Sequence, residues 1–416
     1  MNPKPTALFL ALAFLTLSLV TLFARSADME ARAARHFTRE EIERGRRHAF
    51  ERRLIFWTGQ AVQLAFLMAL VLSGLARRLA DACERWAGGR WVLTLLLVAA
   101  ICFLAEALLS FPISLYGGLY HQRAWGLTER SLASWLGDYA KAIAVSAVIG
   151  AALLAGFYAL VRWLPRSWWI VATLASAGVG VFFALVWPVL IAPLFNTFVP
   201  LENTPQAGLR PRIEAMAARA RLGVREVLVM DASRQSRHTN AYFAGFGPTR
   251  RIVLYDTLVK SHPVEEVESI LGHEIGHWRH GHIAKGVALG AAGSLLGLFV
   301  LSRILEWAVG RPPFHLRSPA DPAGFPLILL LSFLGSWLAM PVASAVSRHF
   351  ERQADEASLE LGGRPDVFVE AEKRLARDNI GNVAPARFNV WLFASHPPAV
   401  ERIERAEAWK AAQPAR

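Results

Sequence analysis

The stretch HEIGHWRHGHIAKGVALGAAGSLLGLFVLSRI, residues 273–304, contains the end of a polar helix and the start of an apolar one. Residues 262–280 have helical periodicity, with Pro263 in the first turn and Gly281 at the end. Residues 286–304 form an apolar run close to the roughly 20 residues that a membrane-crossing helix needs. The chain is therefore expected to place a polar, charged helix directly beside a membrane span.

Six further apolar runs are long enough to cross a membrane. They lie near residues 7–23, 54–76, 91–116, 139–161, 168–191 and 325–346. A cleaved signal peptide is the alternative for the first run, but its single basic residue, Lys4, and its length favour retention. Hydrophobic residues make up 54% of the chain and are concentrated in these runs. The pattern predicts a mainly α-helical, multi-pass integral membrane protein.

The net charge of +12 has two readings. Nucleic-acid binding would explain such a charge, but no RNA- or DNA-binding motif is present and many Arg residues flank apolar runs. Basic loops mark the cytoplasmic side of a membrane, and residues 25–53 alone contain nine Arg. With seven spans, this predicts an outside N-terminus and a cytoplasmic side that holds residues 196–285. The Arg- and Ala-rich, Lys-poor composition favours a bacterial inner membrane, and no nucleic-acid partner is expected.

Outside the spans, the sequence predicts a small mixed segment. Residues 224–230, 251–255 and 240–246 are β-like, and residues 205–221 are typical of a helix. Residues 25–53 and three segments after the last span, 347–362, 365–378 and 398–412, are also predicted to be helical. Cys83 and Cys102 form no C-x-x-C pair, so neither a disulfide framework nor a thiolate metal site is indicated.

The residues His273, Glu274 and His277 form an H-E-x-x-H motif. On a helix, the two histidines lie one turn apart on one face, where both can bind one Zn²⁺. Glu274 lies beside them and is a candidate to accept a proton from the attacking water. A chance match on a surface helix is the alternative. The helix follows a β-like segment and runs into a membrane span, which favours the metal site.

A zinc site of this kind needs a third protein ligand. His280 and His282 are near in sequence, but both are more simply explained as solvated residues at a helix end. Glu351 and Asp355 are again four residues apart on a predicted helix. There, Glu351 would bind the metal and Asp355 would accept the free ring N–H of a ligand histidine. Spacing alone leaves open that this is a solvated, charged helix end.

Further motifs make the chain resemble the type I CAAX prenyl endopeptidases, which are integral-membrane zinc proteases of the gluzincin kind. The motifs are H-E-I-G-H at 273–277, E-R-Q-A-D at 351–355, P-L-F-N at 193–196, N-A-Y-F at 240–243, R-I-V-L at 251–254 and S-H-P-P at 395–398. The resemblance covers nearly the whole chain. It implies seven transmembrane helices that enclose a water-filled chamber, capped by a gluzincin-type catalytic domain with a small β-sheet. Glu106, inside the third apolar run, would suit the chamber wall or a polar contact between helices.

The resemblance also implies a division of the chain and of the roles within it. Residues 1–193 would form the N-terminal membrane domain, 194–285 the catalytic segment, 286–346 the last two spans and 347–416 the C-terminal catalytic segment. One Zn²⁺ per chain would be held by His273, His277 and Glu351, with Glu274 as the general base.

The same resemblance assigns three residues to the substrate. His396 would face the reacting carbonyl and stabilise the oxyanion. Arg402 would meet the C-terminal carboxylate of the substrate, and Asn240 would hold its backbone at an edge strand. By themselves these three would be read as a turn residue, a helix-surface arginine and a strand-start asparagine. Thr239 stands where the family is expected to have Ser.

The sequence thus predicts a zinc metalloendopeptidase whose partners are the lipid bilayer and a peptide or protein substrate, with lipidated or membrane-associated substrates included. In a bacterium, prenylated proteins are not the expected native substrates. An HtpX-like quality-control metalloprotease is the first alternative, although the five spans before the catalytic segment argue against it. A transporter or scaffold with an incidental metal site is the second, although no convincing internal repeat is present.

Overall fold

The computed structural model describes residues 3–221, 223, 226–244 and 251–413, which form sixteen α-helices and a small β-sheet. The helices are α1 (Pro3–Phe23), α2 (Ala27–Ala33), α3 (Arg39–Leu72), α4 (Leu75–Trp86), α5 (Trp91–Leu115), α6 (His121–Ala124), α7 (Leu132–Trp163), α8 (Trp168–Val186), α9 (Arg210–Arg219), α10 (Asp256–Ser261), α11 (Val264–Arg279), α12 (His282–Ala308), α13 (Phe325–Gly362), α14 (Pro365–Asp378), α15 (Arg387–Phe393) and α16 (Ala399–Ala411). The strands are β1 (Phe198–Pro200), β2 (Glu226–Met230), β3 (Ala241–Ala244) and β4 (Arg251–Tyr255).

Seven of these helices are long and apolar enough to cross a membrane, namely α1, α3, α5, α7, α8, α12 and α13. They confirm the seven predicted spans. Residues 347–362 do not form a separate helix, because α13 runs unbroken from the last span to Gly362 over 38 residues. Pro341 lies inside the apolar part of α13, and no further Pro or Gly follows until Gly362 at the end of its charged part. The C-terminal end of a membrane-length helix therefore brings Glu351 and Asp355 against His273 of α11.

The charged segment after α1 is helical, as predicted, but it is divided in two. Thr38 begins α3 with a capping box, in which its hydroxyl accepts from the N–H of Glu41 and the Glu41 carboxylate accepts from the N–H of Thr38. The segment packs against the end of the chain, because Met29 and Phe37 share a buried cluster with Phe368, Val400 and Ile403. A contact across more than 300 residues thus joins α2 and α3 to α14 and α16.

The sheet has the strand order β1-β2-β4-β3, with β2 and β4 parallel and both outer strands antiparallel to their neighbours. The strand at 251–255 is confirmed, and the predicted strands at 224–230 and 240–246 are seen at 226–230 and 241–244, with residues 224, 225, 245 and 246 outside the described part. The three-residue β1, which ends in Pro200, was not predicted. Ile252 and Leu254 pack with Leu271 and Ile275, so α11 lies on the sheet through a buried apolar face.

Helix α11 crosses α13 at two glycines of its buried face. A Cβ on Gly276 would lie 2.8 Å from the Cα of Ala354, and a Cβ on Gly272 would lie 3.2 Å from the Cα of Ser358. The crossing is therefore close enough that the backbones nearly touch. It brings His273 and His277 to the face of α13 that carries Glu351.

We expect Gly276→Ala to destabilise the protein by roughly 1–3 kcal/mol and to weaken metal binding, because the added methyl group forces α11 away from α13. Thermal unfolding in detergent and a zinc-binding titration measure both effects. The control is Gly290→Ala in α12, where a Cβ meets nothing within 4 Å. That change should be neutral or stabilising, as Ala is the better helix former. Equal stability of the two variants would contradict the close crossing.

Candidate metal centre and active site

Helices α11 and α13 bring three metal-binding side chains together at their crossing. One ligand atom each from His273, His277 and Glu351 lies within 4.8 Å of the other two. The Nε2 atoms of the two histidines are 3.1 Å apart, and the Glu351 carboxylate lies 3.1 Å from Nε2 of His273 and 3.4 Å from Nε2 of His277. His273 and Glu351 are buried. The structure therefore assembles the set of three ligands that the sequence predicts.

The outer ring nitrogen of each histidine has its own partner. Nδ1 of His273 lies 2.8 Å from Oδ1 of Asp355, and Nδ1 of His277 lies 2.9 Å from Nδ1 of His282. Nε2 of His282 lies 2.9 Å from the side-chain oxygen of Gln353. Since that oxygen only accepts, Nε2 of His282 carries the proton and its Nδ1 accepts from His277. His273 and His277 are thereby held as tautomers with the Nε2 lone pair facing the cluster.

These residues fit a divalent cation. Two imidazole lone pairs that face each other at 3.1 Å repel unless a cation lies between them. Oε2 of Glu351 is buried and accepts no hydrogen bond from the described residues, although Nε2 of His273 lies 3.1 Å and Nε2 of His396 3.3 Å from it. Two neutral imidazoles and one carboxylate are the ligand set of many catalytic zinc sites. A bound cation would satisfy all three groups.

The expectation that His282 is a solvated residue at the helix end is wrong. Only 6% of His282 is exposed, and its ring stacks on Phe350 with centroids 4.3 Å apart. It lies at the start of α12, because Gly281 takes a left-handed conformation (φ 65°) that turns the chain sharply between α11 and α12. The signal available in the sequence was Gly281 itself, which brings His282 back toward His277. Gln353, inside the E-R-Q-A-D motif, was also missed.

Behind His273, Arg402 joins two buried carboxylates. Its guanidinium contacts Asp355 at 2.5 and 3.0 Å and Glu372 at 2.6 Å, and it lies over the ring of Phe368. Burial opposes the charge on Arg402, but Asp355 and Glu372 raise its pKa above the usual value. The predicted contact of Arg402 with a substrate carboxylate stays a prediction, and in this structure the guanidinium is already engaged by two anions.

Glu274 faces a cavity of about 290 Å³ next to the three ligands. The cavity is lined by Glu274, His277 and His282 together with the apolar and aromatic side chains of Tyr242, Phe243, Trp278 and Ile283. Burial raises the pKa of Glu274 to about 7, where a carboxyl group both accepts and returns protons efficiently. The arrangement suits a general base that acts on a group held in the cavity.

The edge of the sheet borders the same cavity. Strand β3 is an outer strand, and the backbone of Phe243 lies near the Glu274 carboxylate, where it favours the charged form. Asn240 precedes β3, where its backbone oxygen accepts from the N–H of Tyr255 at 3.0 Å. His396 lies on the other side, with Nε2 3.3 Å from the Glu351 carboxylate and 59% of its side chain exposed. The structure thus places His396 beside the candidate metal ligands and Asn240 directly before the edge strand, and their roles stay predictions.

Two family models match the chain, one over its C-terminal half and one over its N-terminal part. Residues 203–410 match the family described as "Peptidase family M48", and residues 19–197 match "CAAX prenyl protease N-terminal, five membrane helices". The crystal structure of S. mikatae Ste24p superposes with a TM-score of 0.86 over 98% of this chain and 99% of that one, at 22% identity. That likeness shows a common fold.

Sequence relatives agree with these matches. The "uncharacterized metalloprotease YhfN" of Bacillus subtilis is 29% identical over 85% of this chain and 82% of its own length. A "CAAX prenyl protease 1 homolog" of Oryza sativa is 30% identical over 71% and 69%, and the human protein of that name is 28% identical over 74% and 72%. Seven membrane-length helices, a possible metal-binding cluster and these matches have one explanation. The chain belongs to peptidase family M48 and is a multi-pass integral membrane metalloendopeptidase with the five-helix N-terminal region of CAAX prenyl proteases.

Proposed function

We propose that this protein hydrolyses peptide bonds of membrane-associated polypeptides at a single Zn²⁺ site, with His273, His277 and Glu351 as ligands. The observation that carries the proposal is the convergence of these three side chains next to Glu274 and the free edge of β3. A general base, a metal site and an edge strand that can bind a peptide backbone are what metal-assisted peptide hydrolysis requires, and these residues are suited to supply all three.

The chain's own residues supply most of the chemistry. Zn²⁺, when bound, supplies a positive charge that polarises the scissile carbonyl and acidifies water. Glu274 accepts a proton from the attacking water on a carboxylate oxygen and returns it to the leaving amine. His396 donates a hydrogen bond from Nε2 to the carbonyl oxygen as negative charge develops there. Asp355 accepts from Nδ1 of His273 and keeps that ring in its ligand tautomer.

The substrate backbone extends the sheet as a further strand beside β3, with Asn240 at the start of that edge. The cavity lined by Phe243, Trp278 and Ile283 receives an apolar side chain next to the scissile bond. Arg402 holds Asp355 in place, since its contact with a substrate carboxylate would require it to leave Asp355 or Glu372.

We also propose the CAAX-type activity over HtpX-like quality control, because relatives that match over about 70% of the chain bear the name CAAX prenyl protease 1. The active site would face the cytoplasm of a bacterial cell from its inner membrane, and the membrane helices would enclose a chamber below it. Of the residues in the most apolar stretch of α7 and of α8, only 6% are buried inside the protein. Such low burial is expected for helices that lie between lipid and an open interior. The division at residues 193, 285 and 346 is part of the same proposal.

The test is cleavage by purified protein in detergent, with zinc per chain determined by mass spectrometry. Three fluorogenic substrates are compared: a farnesylated C-A-A-X peptide, the same peptide without the lipid, and an internal peptide with blocked ends. One zinc per chain and chelator-sensitive cleavage support the metalloprotease. Preference for either C-A-A-X peptide over the blocked peptide supports the CAAX-type activity, and equal cleavage of all three favours quality control. Cleavage that is indifferent to chelator would overturn the zinc mechanism.

We expect His282→Leu to weaken zinc binding roughly 10–100-fold, because His277 then loses the partner that holds its ring and tautomer. Gln353→Met should weaken zinc binding less, since it removes only the partner of His282 and leaves the hydrogen bond between His282 and His277 in place. Competition with a fluorescent zinc chelator measures both. His349→Leu is the matched control, as His349 is exposed on α13. If all three variants bind zinc like the parent protein, His277 is held by something else.

A further inference from the structure

A second cavity, of about 390 Å³, lies where the end of α1 meets the middle of α3. Its lining includes four arginines and one glutamate, and it also includes the aromatic rings of Phe23 and Phe50. It is separate from the zinc ligands in sequence, and none of the predicted catalytic residues lines it. A lining with positive charge and aromatic surface suits a ligand that has both an anionic group and an apolar part.

Most of the charged groups in this lining already have partners. Arg46 pairs with Glu30 at 3.4 Å, and Arg47 pairs with Glu51 at 3.0 Å. The acid of the lining, Glu43, pairs with Arg39 at 3.0 Å. These contacts leave the cavity with no free carboxylate among the residues that line it.

The other two arginines of the lining, Arg25 and Arg53, have no such partner among the described residues. Nε of Arg53 is buried and has no hydrogen-bond partner in the part of the chain that the structure describes. Arg25 is exposed at the mouth, and none of the described side chains pairs with it. A buried guanidinium nitrogen without a partner is costly, and an anion that reaches it removes that cost.

The cavity lies at the depth of a membrane surface. The apolar helix α1 ends at Phe23, two residues before Arg25, and the apolar half of α3 begins at Leu54, directly after Arg53. Phe23 is 66% exposed, and its ring lies 5.9 Å from that of Phe50. A phosphate bound by Arg25 and Arg53 would therefore have an aromatic wall beside it that leads toward the hydrocarbon.

We propose that this cavity binds the phosphate headgroup of an anionic phospholipid, with Arg25 and Arg53 as its cationic ligands and Phe23 and Phe50 against the glycerol and acyl chains. A free phosphate would meet the same two guanidinium groups but leave the aromatic wall without a partner. Basic pockets at the cytoplasmic ends of membrane helices are known to hold anionic headgroups. The site is independent of the proposed peptidase activity.

Native mass spectrometry of the full-length protein in detergent tests the site. Phosphatidylglycerol, phosphatidylcholine and inorganic phosphate are titrated separately, and the bound fraction gives a Kd for each. We expect one tight phosphatidylglycerol per chain, weaker phosphatidylcholine, and a Kd for phosphatidylglycerol that rises roughly 30-fold in Arg25→Gln/Arg53→Gln, since each arginine near a membrane surface contributes about 1 kcal/mol. Arg53→Lys keeps the charge, so its Kd for phosphatidylglycerol should lie between that of the parent protein and that of the double variant.

The matched control is Arg78→Gln/Arg166→Gln, which removes two exposed arginines near other membrane helices and changes the net charge equally. It should bind phosphatidylglycerol like the parent protein. An unchanged Kd in the Arg25/Arg53 variant, or an equal loss in the control, would overturn the site. Phosphate binding as tight as that of phosphatidylglycerol would overturn the lipid and leave a soluble-anion site. Thermal unfolding of each variant shows that the chain is folded.

Discussion

Glu274→Gln is expected to lower the rate of peptide cleavage by about 100- to 10,000-fold while zinc content and folding stay unchanged. The amide has nearly the shape of the carboxylate but accepts no proton from water. Glu274 is not one of the three ligands, and it lies beside them on the cavity side of α11. The measurement is kcat with the fluorogenic peptide, together with zinc per chain and the unfolding temperature.

Glu265→Gln is the control for this variant, because it makes the same chemical change at a half-exposed position of the same helix, away from the cavity. It should cleave like the parent protein. A Glu274→Gln protein that retains zinc and cleaves at the parental rate would show that another group takes the proton. Loss of zinc from that variant would mean that Glu274 supports the metal site and is not only a base.

Arg402→Met is expected to destabilise the protein by about 3–5 kcal/mol, because it leaves two buried carboxylates without their shared cation. Asp355 and Glu372 are each only 7% exposed at the side chain, and both contact this one guanidinium. Zinc affinity should fall as well, since Asp355 would no longer be held against Nδ1 of His273. Unfolding in denaturant and a zinc titration measure the two effects.

Arg405→Met is the matched control, one turn away on α16. Its ion pair with Glu356 is as short, at 2.6 Å, but both side chains are more than a third exposed. Exposed pairs contribute roughly 0–1 kcal/mol, so this variant should stay close to the parent protein. A stable Arg402→Met protein whose KM rises while zinc affinity and kcat are unchanged would instead support direct contact with the substrate carboxylate. If Arg402→Met fails to fold, Arg402→Lys, which keeps the charge, is used for the same measurements of zinc affinity, kcat and KM.

Local pattern was enough to predict most of the secondary structure. Apolar runs of about 20 residues have few alternatives to membrane helices, and all seven are present. The strand at residues 251–255 and the helix at 365–378 have the predicted bounds. The short strand β1 and the helices α4, α6, α10 and α15 were not predicted. The hydrogen bonds of β1 come from β2, and short helices are stabilised mainly by packing against distant parts of the chain, so the local signal of both is weak.

The candidate site was predictable for a related reason. His273 and His277 are four residues apart on one helix, and Glu351 and Asp355 repeat that spacing on another. Each pair is a local feature, and the resemblance to a known family joined the two. Gln353 and Glu372 were not predictable as partners, because Gln353 meets His282 only through the crossing of α11 with α13 and Glu372 meets Arg402 only through the packing of α14 against α16. His282 reaches His277 across the turn at Gly281, which is visible in the sequence.

The sequence by itself determined the membrane class, the helix that carries the H-E-x-x-H motif and the residue types of a zinc site. Only the tertiary structure decided that α13 is one unbroken helix, that His282 is buried behind His277 and that Arg402 joins two carboxylates. Periodicity and spacing act within one helix, where a side chain's neighbours are set by the rise of the helix. Burial and pairing between helices depend on how closely the backbones approach, which at Gly276 is a matter of one absent methyl group.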